Sequence, residues 1–328
     1  MTAAISIELV VCTYNNAQLL RRTLEAIGRL RTYSGISSTV LIVDNNCTDE
    51  TPQVVEQFAA GFPLPLRRVL ETRQGLTPAR VCGVRNTRAE WIAFVDDDCL
   101  LDVDWLEQAA NFLREHPGCG AFGGRVSLEW ESPPPPYVRP FPFAYAGRNN
   151  GEHPVPRPWL AGAGMVVRRS ALESCGWLDR QYLEDRIGKR LVSGGDMEIG
   201  LRIASCAEIW YNPACRLRHI IPARRTARKY LSRMIFGLGI SRHHATALTW
   251  RGSYPGWLLY ATFGSVAFLS QGAVMMAREA VGRGRGVTPG MAFGSFLGWS
   301  AGAWEMLRMS ATTRRSLMGG AIRRSEAR

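Results

Sequence analysis

Three adjacent carboxylates, Asp96-Asp97-Asp98, follow directly on the apolar run Trp91-Ile92-Ala93-Phe94-Val95. Carboxylates at the mouth of a buried strand are costly unless a cation or solvent compensates them. A divalent metal suits them, because Mg2+ and Mn2+ prefer oxygen ligands and commonly share carboxylates with substrate phosphates. The competing use is an acidic turn that caps the helix expected over Trp105 to Arg114. Two further polar clusters follow apolar runs in the same way. Thr13-Tyr14-Asn15-Asn16 comes after Ile5 to Cys12, and Asp44-Asn45-Asn46-Cys47-Thr48-Asp49 comes after Thr39 to Val43. Asp196 and Glu198, behind Gly194-Gly195, stand at the start of a helical pattern over Met197 to Ala204, where carboxylates also complement the helix dipole.

The elements that would carry these clusters alternate. Strands are expected at Ile5 to Cys12, Thr39 to Val43, Leu66 to Leu70 and Trp91 to Val95. Helical periodicity falls between them at Gln18 to Leu30, Thr51 to Ala60 and Thr77 to Thr87. Thr48 or Asp49 would cap the second of these helices, and Pro52 stands early in it. This rhythm predicts an α/β fold, an open and mostly parallel sheet covered by helices on both faces. Ligands of such sheets bind at the carboxyl ends of the strands, where the three polar clusters lie. The first turn, Cys12 to Gln18, contains no glycine, which disfavours a G-x-G-x-x-G dinucleotide site.

Taken together, the loops resemble glycosyltransferase family 2, nucleotide-sugar-dependent enzymes of the GT-A fold. Val10 to Asn15 is similar to that family's opening strand and turn, and Leu41 to Asp49 to its second. Gln74-Gly75-Leu76-Thr77-Pro78-Ala79-Arg80 with Gly83 resembles the helix after the third strand. Phe94 to Asp98 resembles the D-x-D motif, Trp159 to Met165 with Arg168-Arg169 the acceptor-side strand, and Gly194 to Glu198 with Leu201 and Arg202 the late acidic motif. The six lie in order across roughly residues 5–235.

The resemblance implies roles. Thr13 and Tyr14 would line the base and ribose, Asp44 would accept hydrogen bonds from the base, and Arg80 would approach the phosphates. Asp96 would contact ribose or metal and Asp97 would belong to the same nucleotide-sugar site. Asp98, with His219, would hold a divalent metal, Mg2+ or Mn2+, that assists departure of the nucleoside diphosphate. Family members generally invert the anomeric centre, and Asp196 would be the general base that takes the acceptor hydroxyl's proton. Gly195 stands where relatives carry a Glu, which puts that residue's acceptor contacts in doubt. Glu198 ranks second as base and is assigned, with Trp159 and Gly162, to the acceptor. Apart from the resemblance, a lone His such as His219 is usually structural, and a Trp is as readily a packing residue.

The chain of 328 residues carries 40 Lys+Arg against 28 Asp+Glu, a net charge of +12. The excess is not spread evenly: residues 1–212 sum to −3 and residues 213–328 to +15. Within the basic third lies Tyr254 to Ala277, 24 residues without a charge, and a shorter Gly-rich apolar run from Val287 to Ala303. A membrane-spanning helix needs about 20 apolar residues. Arg251, Arg278, Arg283, Arg285, Arg308, Arg314 and Arg315 flank both runs, which fits two clean spans poorly and a re-entrant hairpin or interfacial helices better. An apolar hairpin buried on the globular domain or in a dimer is the alternative. Arg224-Arg225, Lys229 and Arg233 form a basic face that suits a diphosphate, a lipid head group or solvent. Residues 132–158 are rich in proline and aromatic residues and read as a long loop, a candidate flap on the acceptor side.

The expected organisation is a catalytic domain over 1–235 and a helical membrane-associating region over 236–328. The expected activity is transfer of a sugar from a nucleotide-diphosphate sugar to a glycan or lipid-linked acceptor at the cytoplasmic membrane face, in polysaccharide or glycoconjugate synthesis. The alternatives are a soluble, dimeric polysaccharide glycosyltransferase in the cytoplasm, or a non-catalytic nucleotide-sugar or glycan-binding protein. No nucleic-acid recognition motif is seen. No signal peptide is read at Met1 to Glu8, and the eight scattered cysteines, none in C-x-x-C spacing, read as reduced thiols.

Overall fold

The computed structural model describes residues 4–187 and 191–321. Backbone contacts divide it into two compact units: residues 1–129, 146–180 and 202–220 form the first, and residues 130–145, 181–201 and 221–328 the second.

The first unit is built on a nine-stranded sheet. Its strands are β1 (Ile5–Thr13), β2 (Ile36–Asp44), β3 (Leu66–Leu70), β4 (Trp91–Asp96), β5 (Cys99–Leu101), β6 (Cys119–Trp130), β7 (Val155–Pro156), β8 (Met165–Arg168) and β9 (Glu208–Ile221). The order is β3-β2-β1-β4-β8-β6-β9-β5, with β7 beside β9. The first four strands pair in parallel, as the alternating pattern predicts. Beyond β4 the sheet turns antiparallel: β8 against β4, β6 against β8, and β5 and β7 against β9. The sheet is therefore mixed. The reversal at β8 runs the chain back past β4, so Gly164 N–H bonds to the Phe94 carbonyl at 3.0 Å. That places residues 159–164 at the edge where Asp96 to Asp98 emerge.

Side chains alternate across the strands and bury both faces. Ile7, Leu9 and Val11 of β1, with Val40 and Ile42 of β2, point to one face and join the core with Leu20, Leu24 and Ile27 of α1 (Ala17–Gly28). Val54 and Val55 of α2 (Thr51–Ala59) and Trp105, Ala109 and Phe112 of α4 (Trp105–Glu115) close the same core. Each fully buried Leu or Val there contributes about 2 kcal/mol relative to exposure. Val10 and Val43 point to the other face, against α3 (Leu76–Arg85), where a Cβ on Gly83 would come within 2.5 Å of Val10. Helices thus cover both faces, as expected. The unit also holds α5 (Arg169–Ser174), which follows β8 directly.

The second unit is helical. It includes most of α6 (Gly195–Ile203), then α7 (Arg228–Leu248), α8 (Tyr254–Ala280), α9 (Pro289–Ala292), α10 (Gly294–Arg308) and α11 (Ala311–Leu317). Gly294, Gly298 and Gly302 recur every fourth residue on α10 and let it close on α7; a Cβ on Gly302 would stand 2.9 Å from His243. Such small-residue spacing is typical of helices that pack within membranes. α10 lies against α8 as well, where Trp299 Nε1 donates to the Ala261 carbonyl at 2.8 Å. α8 is the one described helix long and apolar enough to cross a membrane, and 11% of its apolar stretch is buried. Phe263 is 66% exposed, and Leu259, Val266 and Val274 are also exposed along it. The second apolar run is broken at Phe293 between α9 and α10, and α10 is too short to span.

The proline-rich stretch is not wholly loose. Its first part, in the second unit, folds into short helical turns, Pro136–Val138 and Pro142–Tyr145. Val138 and Phe141 are buried, and the Tyr137 and Tyr145 hydroxyls donate to the Thr226 and Arg225 carbonyls at 3.2 and 3.3 Å. The reading of a long loop is corrected for these residues: they form helical turns, and buried aromatics and two backbone acceptors hold them down.

Candidate active site

The carboxyl edge of the parallel strands gathers the predicted residues of the first unit. β4 ends at Asp96, and the chain turns at once into β5, which pairs with β9 so that Cys99 lies opposite His219. This pairing carries His219, distant in sequence, to the acidic cluster: its Nε2 stands 3.2 Å from Asp98 Oδ1, and both side chains are almost fully buried. Asp96, Asp98 and Cys99 also offer ligand atoms within 4.8 Å of one another. The Asp96 and Asp98 carboxylates offer the oxygen donors that Mg2+ and Mn2+ prefer, with His219 beside Asp98. Burial pushes the Cys99 thiol well above its usual range.

Asp97 points elsewhere. Its carboxylate accepts from the Thr13 hydroxyl at 2.7 Å and from Asn16 Nδ2 at 2.8 Å. It therefore ties the β4 end to the turn after β1. Burial and the neighbouring Asp98 charge push the Asp97 carboxyl up to about 7. Crowded carboxylates of this kind are relieved by a cation. Thr13 is buried with its hydroxyl engaged, whereas Tyr14 is 45% exposed at the same turn.

Asp44 ends β2 beside β1. Its Oδ1 accepts the Cys47 N–H at 2.8 Å, and its Oδ2 pairs with Arg68 of β3 at 2.8 Å. It caps its turn, while its partner Arg68 had no predicted role. Asp49 accepts from Ala17 N–H at 3.0 Å and Thr51 N–H at 3.1 Å, so of the two expected helix caps it is the one that engages α2. Arg80 is buried on α3 with its guanidinium 5.6 Å from the centre of the Phe94 ring.

Asn45 organises this edge without having been singled out. Its Nδ2 donates to the Glu71 and Arg73 carbonyls at 3.1 and 2.7 Å, and its Oδ1 accepts the Gly75 N–H at 2.8 Å. Gly75 has φ of +134°, a conformation that side chains rarely tolerate. Together they fix the start of α3 and hence Arg80. The run of Asn residues after Val43 was the available signal.

Trp159 is 38% exposed, and Arg148 lies over its ring at 4.1 Å from the centroid. Gly162 is buried, and its carbonyl accepts the Met165 N–H at 3.2 Å. Asp196 and Glu198 belong to the second unit. Asp196 is half-buried in the first turn of α6, where its Oδ1 accepts the Met197 N–H at 2.9 Å. Glu198 is fully buried: its carboxylate accepts from Tyr182 N–H at 2.9 Å and Leu183 N–H at 2.7 Å. Those amides engage the carboxylate in shaping residues 182–183.

The sequence model described as Glycosyl transferase family 2 matches residues 8–176. Succinoglycan biosynthesis protein ExoM of Rhizobium meliloti is 23% identical over 287 residues, 85% of this chain and 87% of its own. A glucosyl-dolichyl phosphate glucuronosyltransferase of Haloferax volcanii is 25% identical over 243 residues, 72% of this chain and 76% of its own. Glycosyltransferase AglE of Haloferax volcanii is 27% identical over 124 residues, 38% of this chain and 40% of its own. Among solved structures, the mannosyltransferase PcManGT of Pyrobaculum calidifontis, in complex with GDP-Man and Mn2+, superposes with a TM-score of 0.58 at 23% identity. The alignment covers 99% of this chain and 87% of that one, and shows that the two share a fold.

Proposed function

The chain belongs to glycosyltransferase family 2, and from that premise we propose that it transfers a sugar, with inversion, from a nucleotide-diphosphate sugar to a glycan or lipid-linked acceptor at the cytoplasmic membrane face. The observation that carries the reading is the pairing of Asp96 and Asp98 at the carboxyl edge of β4, with His219 brought beside Asp98. A cation at that edge would offset the charge of a nucleotide diphosphate, and the PcManGT complex contains both GDP-Man and Mn2+.

In this reading Asp98 and His219 hold Mg2+ or Mn2+, with Asp96 on the metal or the ribose. The bound metal supplies Lewis-acid stabilisation of the departing diphosphate. Tyr14 offers its exposed ring to the base and ribose, and Asp44, held by Arg68, accepts from the base. Thr13 and Asp97 keep the two loops in register through their mutual hydrogen bond. Arg80 approaches the phosphates from α3 as a buried cation. Asp196 takes the acceptor hydroxyl's proton as the new bond forms, the step inversion requires of one carboxylate. Trp159 and Gly162 contribute to the acceptor side, and Glu198 supports it by fixing residues 182–183.

Membrane association is supported by the exposed apolar length of α8 and by the arginines that flank it in sequence, Arg251 before and Arg278, Arg283 and Arg285 after. We assign residues 1–235 to catalysis and residues 236–328 to membrane attachment.

The test is a donor screen: nucleoside diphosphate release from UDP-, GDP- and dTDP-sugars with Mg2+ or Mn2+. Release with at least one donor, abolished by a chelator and by Asp98→Asn, is expected. Release from none, with or without metal, would refute the reading.

A further inference from the structure

Three helices of the second unit run side by side. α10 follows α7 in the same direction, with Gly294 against Ile235, Gly298 against Gly239 and Gly302 against His243. α8 runs the opposite way along them: Gly272 stands against Phe293, Gly264 against Trp299, and the Trp257 ring against His243. Just past the end of α8, the Gly286 carbonyl accepts from Arg228 Nη1 at 2.7 Å, at the first turn of α7. α7 therefore accompanies the 27 residues of α8 from one end to the other, about 40 Å at helical rise.

The two helices expose different chemistry. From Tyr254 to Ala277 α8 carries no charge, and Leu259, Phe263, Val266, Leu269 and Val274 are exposed along it. α7 contains no acidic residue, and Arg228, Lys229, Arg233 and Arg242 are exposed on it. These cations are spread along the helix rather than gathered at one end. The Arg242 guanidinium lies 5.7 Å from the centre of the Phe268 ring, midway along α8. At the far end of α8 the Glu279 carboxylate accepts the Arg285, Gly286 and Val287 N–H groups at 2.8, 3.0 and 2.9 Å. Arg278, Arg283 and Arg285 outnumber it there, so that end is cationic too.

This pairing constrains how α8 meets a bilayer. A helix crossing from face to face would take α7 in with it and set the Arg242 guanidinium near the hydrocarbon centre, where charge is costly. Lying flat, α8 sinks its apolar side among the acyl chains while the cations stay at head-group level. Anionic head groups complement those cations. Contact between two copies through α8 would instead bring like charges together around the apolar face.

We infer that α8 lies in the plane of a single leaflet and that the cations of α7 bind anionic phospholipid head groups beside it. The inference rests on the membrane-attachment reading and adds to it a geometry and a lipid class.

The experiment floats the full-length protein with vesicles of phosphatidylcholine, alone or with about one-third phosphatidylglycerol. Binding to the anionic vesicles should be roughly tenfold tighter or more, and Lys229→Gln with Arg242→Gln should remove most of that gain, since each surface cation adds about a factor of five. An unchanged melting temperature reports that the double variant is folded. A fluorescent amino acid is then placed singly at Leu259, Val266 or Val274, and quenched by lipids with a nitroxide near the head group or at the chain end. All three positions should be quenched alike, and more strongly by the head-group nitroxide. Stronger chain-end quenching at Val266 than at the other two would show a span and overturn the in-plane geometry while leaving attachment intact. Equal binding to both vesicle types, or a double variant that binds like the wild type, would overturn the head-group contact. No flotation with either vesicle would overturn the inference together with the attachment reading.

Discussion

His219 Nε2 lies 3.2 Å from Asp98 Oδ1, although 121 positions separate the two residues in the chain. The antiparallel pairing of β5 with β9 creates the contact, because it sets Cys99 opposite His219 and leaves Asp98 one residue before. If both side chains hold the cation, removing either weakens it. Asp98→Asn and His219→Ala should each lower Mn2+ affinity at least tenfold, as metal titration followed by electron paramagnetic resonance would measure. Wild-type affinity in both variants would remove the metal role.

Asp196→Asn should cut transfer by two to four orders of magnitude, the usual worth of a positioned base, while donor affinity stays within twofold. A parallel loss in donor binding would instead make Asp196 a donor-site residue. Glu198→Gln is expected to act through folding. Its carboxylate receives backbone N–H groups that a neutral amide satisfies less well, so a lowered melting temperature should accompany any loss of activity.

Gly83→Ala places a Cβ 2.5 Å from Val10 Cγ1, between α3 and the sheet. The expected destabilisation is about 1–3 kcal/mol, the ordinary cost of overpacking, read from denaturant unfolding. An unchanged midpoint would mean that α3 shifts freely.

His243 is fully buried on α7, between Trp257 and Trp299 at ring separations of 4.9 Å, and neither ring nitrogen has a hydrogen-bond partner. Burial, with a smaller effect of His244, lowers its pKa to about 3. The folded state keeps His243 neutral while the unfolded state protonates near pH 6.5. Stability contributed here is therefore complete above about pH 6.5 and falls as pH drops toward 3, by up to about 1.4 kcal/mol per pH unit. Thermal melts from pH 7.5 to 4.5 should show that loss, and His243→Met should reduce it. An equal slope in both proteins would exclude His243 as its source.

Phe263→Asp with Val266→Asp puts two charges on the exposed side of α8. In detergent-free fractionation the wild type should sediment with membranes and the double variant should shift to the soluble fraction. Wild type recovered wholly in the soluble fraction, as a dimer, would instead make this face an interface between copies.

Much was legible without coordinates. The apolar runs ending at Cys12, Val43 and Val95 could only be buried strands, and the polar residues behind them had to emerge at one edge. The ordered motifs pointed to the family, and the charge asymmetry with the uncharged stretch at 254–277 marked α8. Less legible were roles that depend on the direction of a side chain. Asp96, Asp97 and Asp98 are chemically identical in sequence, yet Asp97 turns back to Thr13 and Asn16 while Asp98 meets His219. Glu198 ranked behind Asp196, and its carboxylate binds the Tyr182 and Leu183 amides, a pairing that residue type and spacing do not specify.

The sequence by itself determined the strands, the edge on which function would lie and the type of chemistry, because hydrophobic period and residue type are local properties. Only the tertiary structure decided which carboxylate joins which partner, that the sheet reverses at β8, and that Asn45 fixes the start of α3. Those outcomes depend on strand register and on contacts between residues far apart in the chain, which local patterns do not encode.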